Sequence, residues 1–143
     1  MTIISKSALV SYSPEQMFKL VDNIEAYAEF LPWCGKATET FRSDEKVEAS
    51  LLISYASLNK TFATRNINTA YEKIEMHLLD GPFKKLDGVW LFEPLGESAC
   101  KISLNLDFEF SSKIISITVG PVFSKIANTM VDAFIKRADS IYG

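Results

Sequence analysis

Histidine occurs once in the 143 residues, as His77, and cysteine twice, as Cys34 and Cys100. One histidine and two distant thiols give no metal-ligand spacing, and an isolated cysteine pair makes no disulfide framework, so both thiols are expected to be reduced. There is no Gly-rich phosphate loop and no Gly-x-Ser-x-Gly nucleophile motif. His77 sits in a strand pattern with Glu75 and Leu79 on its parity and reads as a partly exposed strand residue. Asp107 and Glu109 flank Phe108 as solubilising alternation, not as a general acid and base. The chain is therefore read as having no enzymatic activity. Uninterrupted apolar runs extend only a few residues, well short of the roughly 20 that cross a membrane, so no transmembrane segment is expected, although transient membrane contact is open. No signal-peptide pattern begins the chain, and the expected location is the cytoplasm. An excess of positive charge is also missing. The formal net charge of -3 argues against DNA and against broad attraction to phosphates or anionic lipid, leaving only a local patch for such a partner.

What is present is apolar patterning. The hydrophobic content of 48% suits a single core, and residues 1–143 are read as one domain. Ile3 to Tyr12 reads as a first strand, and Ser13-Pro14-Glu15 as a helix start. Met17, Phe18, Leu20 and Val21 follow at helical spacing, and a second short helix runs from about Ile24 to Phe30, ending before Pro32. From Cys34 the period becomes two, with Val47, Ala49, Leu51, Ile53 and Tyr55 on one parity. Similar alternation recurs around Lys60 to Ile67, Ile74 to Leu79, Leu86 to Glu93 and Ala99 to Phe110, separated by turn-rich breaks. In the last of these, Cys100, Ile102, Leu104, Leu106, Phe108 and Phe110 oppose Lys101, Ser103, Asn105, Asp107 and Glu109. About seven strands are expected as a meander after the first. Lys113 to Tyr142 then carries a broad apolar helical stripe, which Gly120-Pro121 should kink or divide. The expected class is α+β, a curved antiparallel sheet of about seven strands wrapped around a long C-terminal helix, with two short helices after the first strand.

Particular segments carry a resemblance: Leu31-Pro32-Trp33-Cys34, Lys60 to Asn66, Asp80 to Leu86, Gly88-Val89-Trp90, Leu106 to Phe110 and Met130 to Phe134, with Arg137-Ala138. From about Ile3 to Tyr142 the chain resembles the coenzyme Q-binding, polyketide cyclase-like branch of the START superfamily, and within it the bacterial ribosome association toxins. The resemblance implies a helix-grip fold with an apolar cavity between sheet and helix. Some members bind ubiquinone or related isoprenoid lipids and support respiration, while the toxin members are described as binding the large ribosomal subunit and blocking its joining to the small one. Fold does not choose between these functions.

The expected cavity walls are Tyr55, Phe62, Leu86, Trp90, Phe92, Leu104, Phe108 and Phe110 from strands and Phe123, Ile126, Met130 and Phe134 from the helix. Trp33 is a candidate for the entrance and Phe83 for a gate. Such walls suit a polyprenyl tail, and aromatic edges suit a quinone ring, so a bound ubiquinone or isoprenoid lipid is the expected ligand, with no cofactor required. The bland alternative is a filled core, since interiors pack densely. Lys60, Arg65, Lys84 and Lys85 are the nearest approach to a basic grouping, and contact with ribosomal RNA would require them to converge, with a solvated charged face as the alternative.

Overall fold

The computed structural model describes residues 2–55 and 57–143. The elements in order are β1 (Thr2–Val10), α1 (Pro14–Asp22), a 3-10 helix (Ile24–Glu29), β2 (Cys34–Arg42), β3 (Lys46–Tyr55), β4 (Leu58–Thr69), β5 (Lys73–Asp80), β6 (Phe83–Pro94), β7 (Cys100–Phe110) and α2 (Lys113–Tyr142). The sheet has 7 strands in the order β1-β7-β6-β5-β4-β3-β2, with every neighbouring pair antiparallel. The sheet thus has the seven strands expected of it, six of them in the meander after β1. β1 pairs with the last of them, Thr2 opposite Phe108 and Val10 opposite Cys100, so the chain's first strand sits beside its final one.

Curvature comes from register breaks. Irregularities fall between Cys34 and Lys36 and between Glu39 and Phe41 on β2, between Ala63 and Thr64 on β4, and between Phe83 and Lys85 on β6. Each break adds local twist, and together they bend the sheet toward α2. Alternation then sends Ile102, Leu104, Leu106 and Phe108 of β7 inward, where they are buried.

α1 begins with a capping box. The Ser13 hydroxyl accepts from the Gln16 backbone N–H at 3.1 Å, while Gln16 Oε1 accepts from the Ser13 N–H at 2.9 Å. A cap of this kind is worth about 1 kcal/mol and fixes where the strand becomes a helix. Met17, Phe18, Leu20 and Val21 are buried along α1, as their spacing predicts. The second short helix is 3-10 in type. Its Tyr27 hydroxyl donates to the Val21 carbonyl, tying it back to α1.

α2 runs unbroken through Pro121. The proline does not divide it, because Pro121 and Ile117, whose carbonyl lacks its helical donor, are both exposed and water can serve that carbonyl. By length and composition α2 could cross a membrane, which the short uninterrupted apolar runs concealed. In the structure its stripe of Val119, Phe123, Ile126, Ala127, Val131, Phe134 and Ala138 is buried.

Candidate functional site: a cavity and a groove on either side of Trp33

Two aromatic clusters brace the interior. One joins Phe62, Phe83, Phe108, Phe110 and Phe123, with the Phe108 and Phe123 ring centres 4.8 Å apart. The other joins Trp90, Phe134, Tyr27 and Phe30, with Trp90 edge-on to Phe134 at 5.3 Å. Between sheet and α2 lies a cavity of ≈ 70 Å³ that takes Phe62 and Phe123 from the first cluster and Tyr27 and Trp90 from the second. Its remaining wall is Ile24, Trp33, Ala49, Leu51, Ile53, Thr64, Asn66, Met76, Leu86, Leu104, Leu106, Ile126, Ala127 and Met130.

Of the residues expected on this wall, Trp33, Phe62, Leu86, Trp90, Leu104, Phe123, Ile126 and Met130 are there. Six are elsewhere. Phe83, Phe108 and Phe110 pack on one another and on Phe123, so Phe83 is a core residue and not a gate. Phe92 stacks on Trp90 and meets Phe18 of α1 edge-on. Phe134 is enclosed by Tyr27, Phe30 and Trp90. Tyr55 is 38% exposed at the end of β3, where its hydroxyl accepts from Lys125 Nζ at 3.0 Å. The five phenylalanine rings fill space, whereas the cavity lies where Ala49, Ala127 and Thr64 leave it.

Gly88 contributes from behind the wall. A methyl group there would meet Leu106 Cδ2 at 2.5 Å and Met76 Cε at 2.7 Å, so both side chains lean over the missing Cβ.

A second hollow opens outside. A groove of ≈ 700 Å³ lies along α2, lined by Phe30, Leu31, Pro32, Trp33, Tyr55, Val122, Lys125, Ile126, Thr129, Asp132, Ala133, Lys136, Arg137 and Ser140. Arg137 bonds Glu29 at 3.1 Å and lies 4.8 Å from the Phe30 ring centre. Trp33 and Ile126 line both hollows.

Among the described residues, Tyr27 is the one ordinarily titratable group on the cavity wall. Burial, followed by the nearby charge of Asp22, pushes its phenol well above the usual tyrosine range, so it stays protonated. Burial likewise raises the Cys34 and Cys100 thiols, and both are free. His77 faces Asp87 across β5 and β6 on the exposed side, 3.3 Å from its carboxylate.

The four basic candidates do not form one patch. Arg65 bonds Glu48 at 2.8 Å, Lys85 bonds Asp107 at 2.8 Å and Lys84 lies 3.8 Å from Glu109. The Asp107 bond raises the Lys85 ammonium above its ordinary value and keeps it charged. Lys60 instead shares the parity of Phe62 and Thr64 at the start of β4, on the opposite face from Arg65.

This architecture has counterparts. A START superfamily protein from Mycobacterium smegmatis has the same fold, with a TM-score of 0.81, 20% identity and coverage of 97% of this chain and 98% of that one. The ribosome association toxin RatA of Vibrio cholerae is 48% identical over 140 residues, 98% of this chain and 97% of the relative. The mitochondrial coenzyme Q-binding protein COQ10 homolog B of Xenopus laevis is 28% identical over 144 residues, covering 97% of this chain and 59% of that longer protein. Residues 10–135 match the family described as polyketide cyclase / dehydrase and lipid transport. The sheet closed around α2 and the full-length likeness agree, and the chain belongs to this START-like family, alongside the ribosome association toxins.

Proposed function

We propose that the chain is a non-catalytic cytoplasmic binding protein that acts on ribosome association, as its Vibrio relative is named to do, and that its sheet–helix interior takes an apolar ligand of the isoprenoid quinone class. The observation that carries the ligand is the wall shared by the cavity and the groove. Drug-sized ligands need pockets of about 300–1,000 Å³, and even benzene occupied an engineered cavity of about 150 Å³. The inner cavity of ≈ 70 Å³ is too small for a prenylated ring, but the groove beyond Trp33 and Ile126 adds ≈ 700 Å³. Swinging Trp33 aside joins the two. The walls are hydrocarbon and aromatic, and burial of a prenyl chain against them is favourable by about 25 cal/mol per Å². A cavity wall whose one ordinarily titratable group is a protonated tyrosine offers no acid and base pair, which supports binding over turnover.

Native purification, organic extraction and mass spectrometry test the ligand, and co-sedimentation with ribosomal subunits tests the partner. An isoprenoid quinone at one per chain is the expected result. A protein that carries nothing yet sediments with the large subunit would move the function to the outer surface. That second reading is favoured by the small size of the inner cavity. It predicts that reversing Lys84 and Lys85 abolishes sedimentation while leaving the affinity for added quinone intact.

A further inference from the structure

β4 sends Phe62, Thr64, Asn66 and Asn68 to the inner face. Phe62 suits an apolar interior, but Thr64 and Asn66, each 8% exposed, are polar residues on the cavity wall. The Thr64 hydroxyl donates to Asn66 Oδ1 at 3.0 Å. Together the two side chains carry three donor hydrogens, and this bond uses one. The Asn66 amide nitrogen has no protein partner among the described residues. Turning the amide round would free the Thr64 hydroxyl hydrogen instead, so an unused donor remains in either orientation.

Among the described residues the buried side-chain atoms without a partner are Asn68 Oδ1 and Asp107 Oδ1, so the spare Asn66 donor is not sealed in and faces accessible space on the cavity wall, where valine and leucine would offer no donor. The next inward residue shows the contrast. Asn68 donates to Asp22 Oδ1 at 2.9 Å, which ties β4 to α1 although its own Oδ1 is buried without a partner, and it does not line the cavity. No such structural tie accounts for Asn66. Among the described residues the cavity wall holds no lysine, arginine or histidine, so a carboxylate or phosphate there would be an unpaired charge in apolar surroundings.

We propose that Thr64 and Asn66 anchor the polar end of the ligand once Trp33 has moved aside to make room for it, that this end is a neutral hydrogen-bond acceptor such as a ketone, quinone or ester carbonyl, and that the hydrocarbon portion leads out past Trp33 and Ile126 to the groove. The assignment rests on the apolar-ligand reading above and adds the orientation, head inward and tail outward. Acceptor-free hydrocarbons then gain nothing from the pair, and ionised amphiphiles are kept out of the cavity.

The test compares two probes with the same tail, 2,3-dimethoxy-5-methyl-6-decyl-1,4-benzoquinone and decylbenzene, on the wild type and on Thr64→Val/Asn66→Leu. The double variant removes both partners of one hydrogen bond, so it is expected to melt no lower than the wild type. It should lose about tenfold in quinone affinity, equivalent to one hydrogen bond, and bind decylbenzene as before. In the wild type, the Asn66 side-chain amide resonances should shift with the quinone and not with decylbenzene, a readout that needs no variant. If the quinone binds the wild type without moving those resonances, or binds both proteins equally, the anchor is wrong while the apolar-ligand reading stands. If the wild type binds neither probe, that reading falls and the anchor falls with it.

Discussion

Trp33 and Ile126 form a partition: each lines the inner cavity between sheet and helix and also the groove along α2. Their positions follow from local structure. Trp33 stands at the corner where the 3-10 helix ends and β2 begins, with the Cys34 N–H bonded to the Leu31 carbonyl at 3.0 Å, and Ile126 lies mid-helix on the buried stripe. Thinning the partition should speed ligand entry. Ile126→Ala is expected to lose about 2–5 kcal/mol of stability and to take up the decyl quinone faster in stopped-flow measurements. Val131→Ala is the control, a buried truncation on the same helix that lines neither hollow. Equal uptake rates in the two variants would show that the partition is not the entry route.

The volume of the cavity depends on Gly88. Filling its missing Cβ pushes Leu106 and Met76 away from β6, and both line the cavity. The two closest contacts are ends of flexible side chains and the backbone carbonyl of Asn105 stands off at 3.4 Å, so Gly88→Ala should fold, at a cost of about 1–3 kcal/mol for overpacking. Quinone affinity should fall with it. A variant that melts lower and yet binds the quinone as well as the wild type would mean that the ligand does not occupy this end of the interior.

Phe108 looks from the sequence like a ligand contact, and the structure makes it a core residue. Its ring lies 4.8 Å from Phe123 and 5.6 Å from Phe110, behind the wall residue Phe123 and not itself on the cavity wall. Phe108→Ala should cost about 3–5 kcal/mol. Under conditions where it remains folded, its quinone affinity should match the wild type, which a calorimetric titration checks. Selective loss of affinity without loss of stability would return Phe108 to the binding site.

The difference between Phe108 and Leu106 also shows what the sequence could reveal. Both share the inward parity of β7, and alternation identifies that face, as it does for β3, β4 and β6. It does not say which inward residues fill space and which surround it. Aromatic size suggested a wall, but large rings close volume against each other, and the hollow falls beside Ala49, Thr64 and Ala127. One signal was available in the sequence: Thr64 and Asn66 occupy inward positions after Phe62, where an ordinary core strand would carry apolar residues. Pro121 misled for a related reason. Its cost depends on whether the orphaned carbonyl reaches water, which follows from how α2 lies on the sheet and not from the local sequence. Pairing of Lys84 and Lys85 with β7 carboxylates likewise depended on register across two strands.

Alkaline pH should unfold the protein for a reason that lies in its interior. Burial raises Cys34 and Cys100 above their ordinary value of 9.0, and Tyr27 above 10.0, so the folded state holds protons that the unfolded chain releases. Stability from these groups is therefore whole below pH 9.0 and is lost as pH climbs through their raised folded values. The denaturant midpoint should be level from about pH 7 to about pH 8.5 and then decline. Cys34→Ala/Cys100→Ala should remove the thiol part of that decline while lowering the level region, since both side chains are buried. Alkylation supplies an independent reading, because only the thiolate reacts and both thiols should label far more slowly in the folded protein than in denaturant at the same pH. A midpoint that holds level well above pH 9.0, or rapid labelling of the folded protein, would show that the two thiols are not protected as the structure places them.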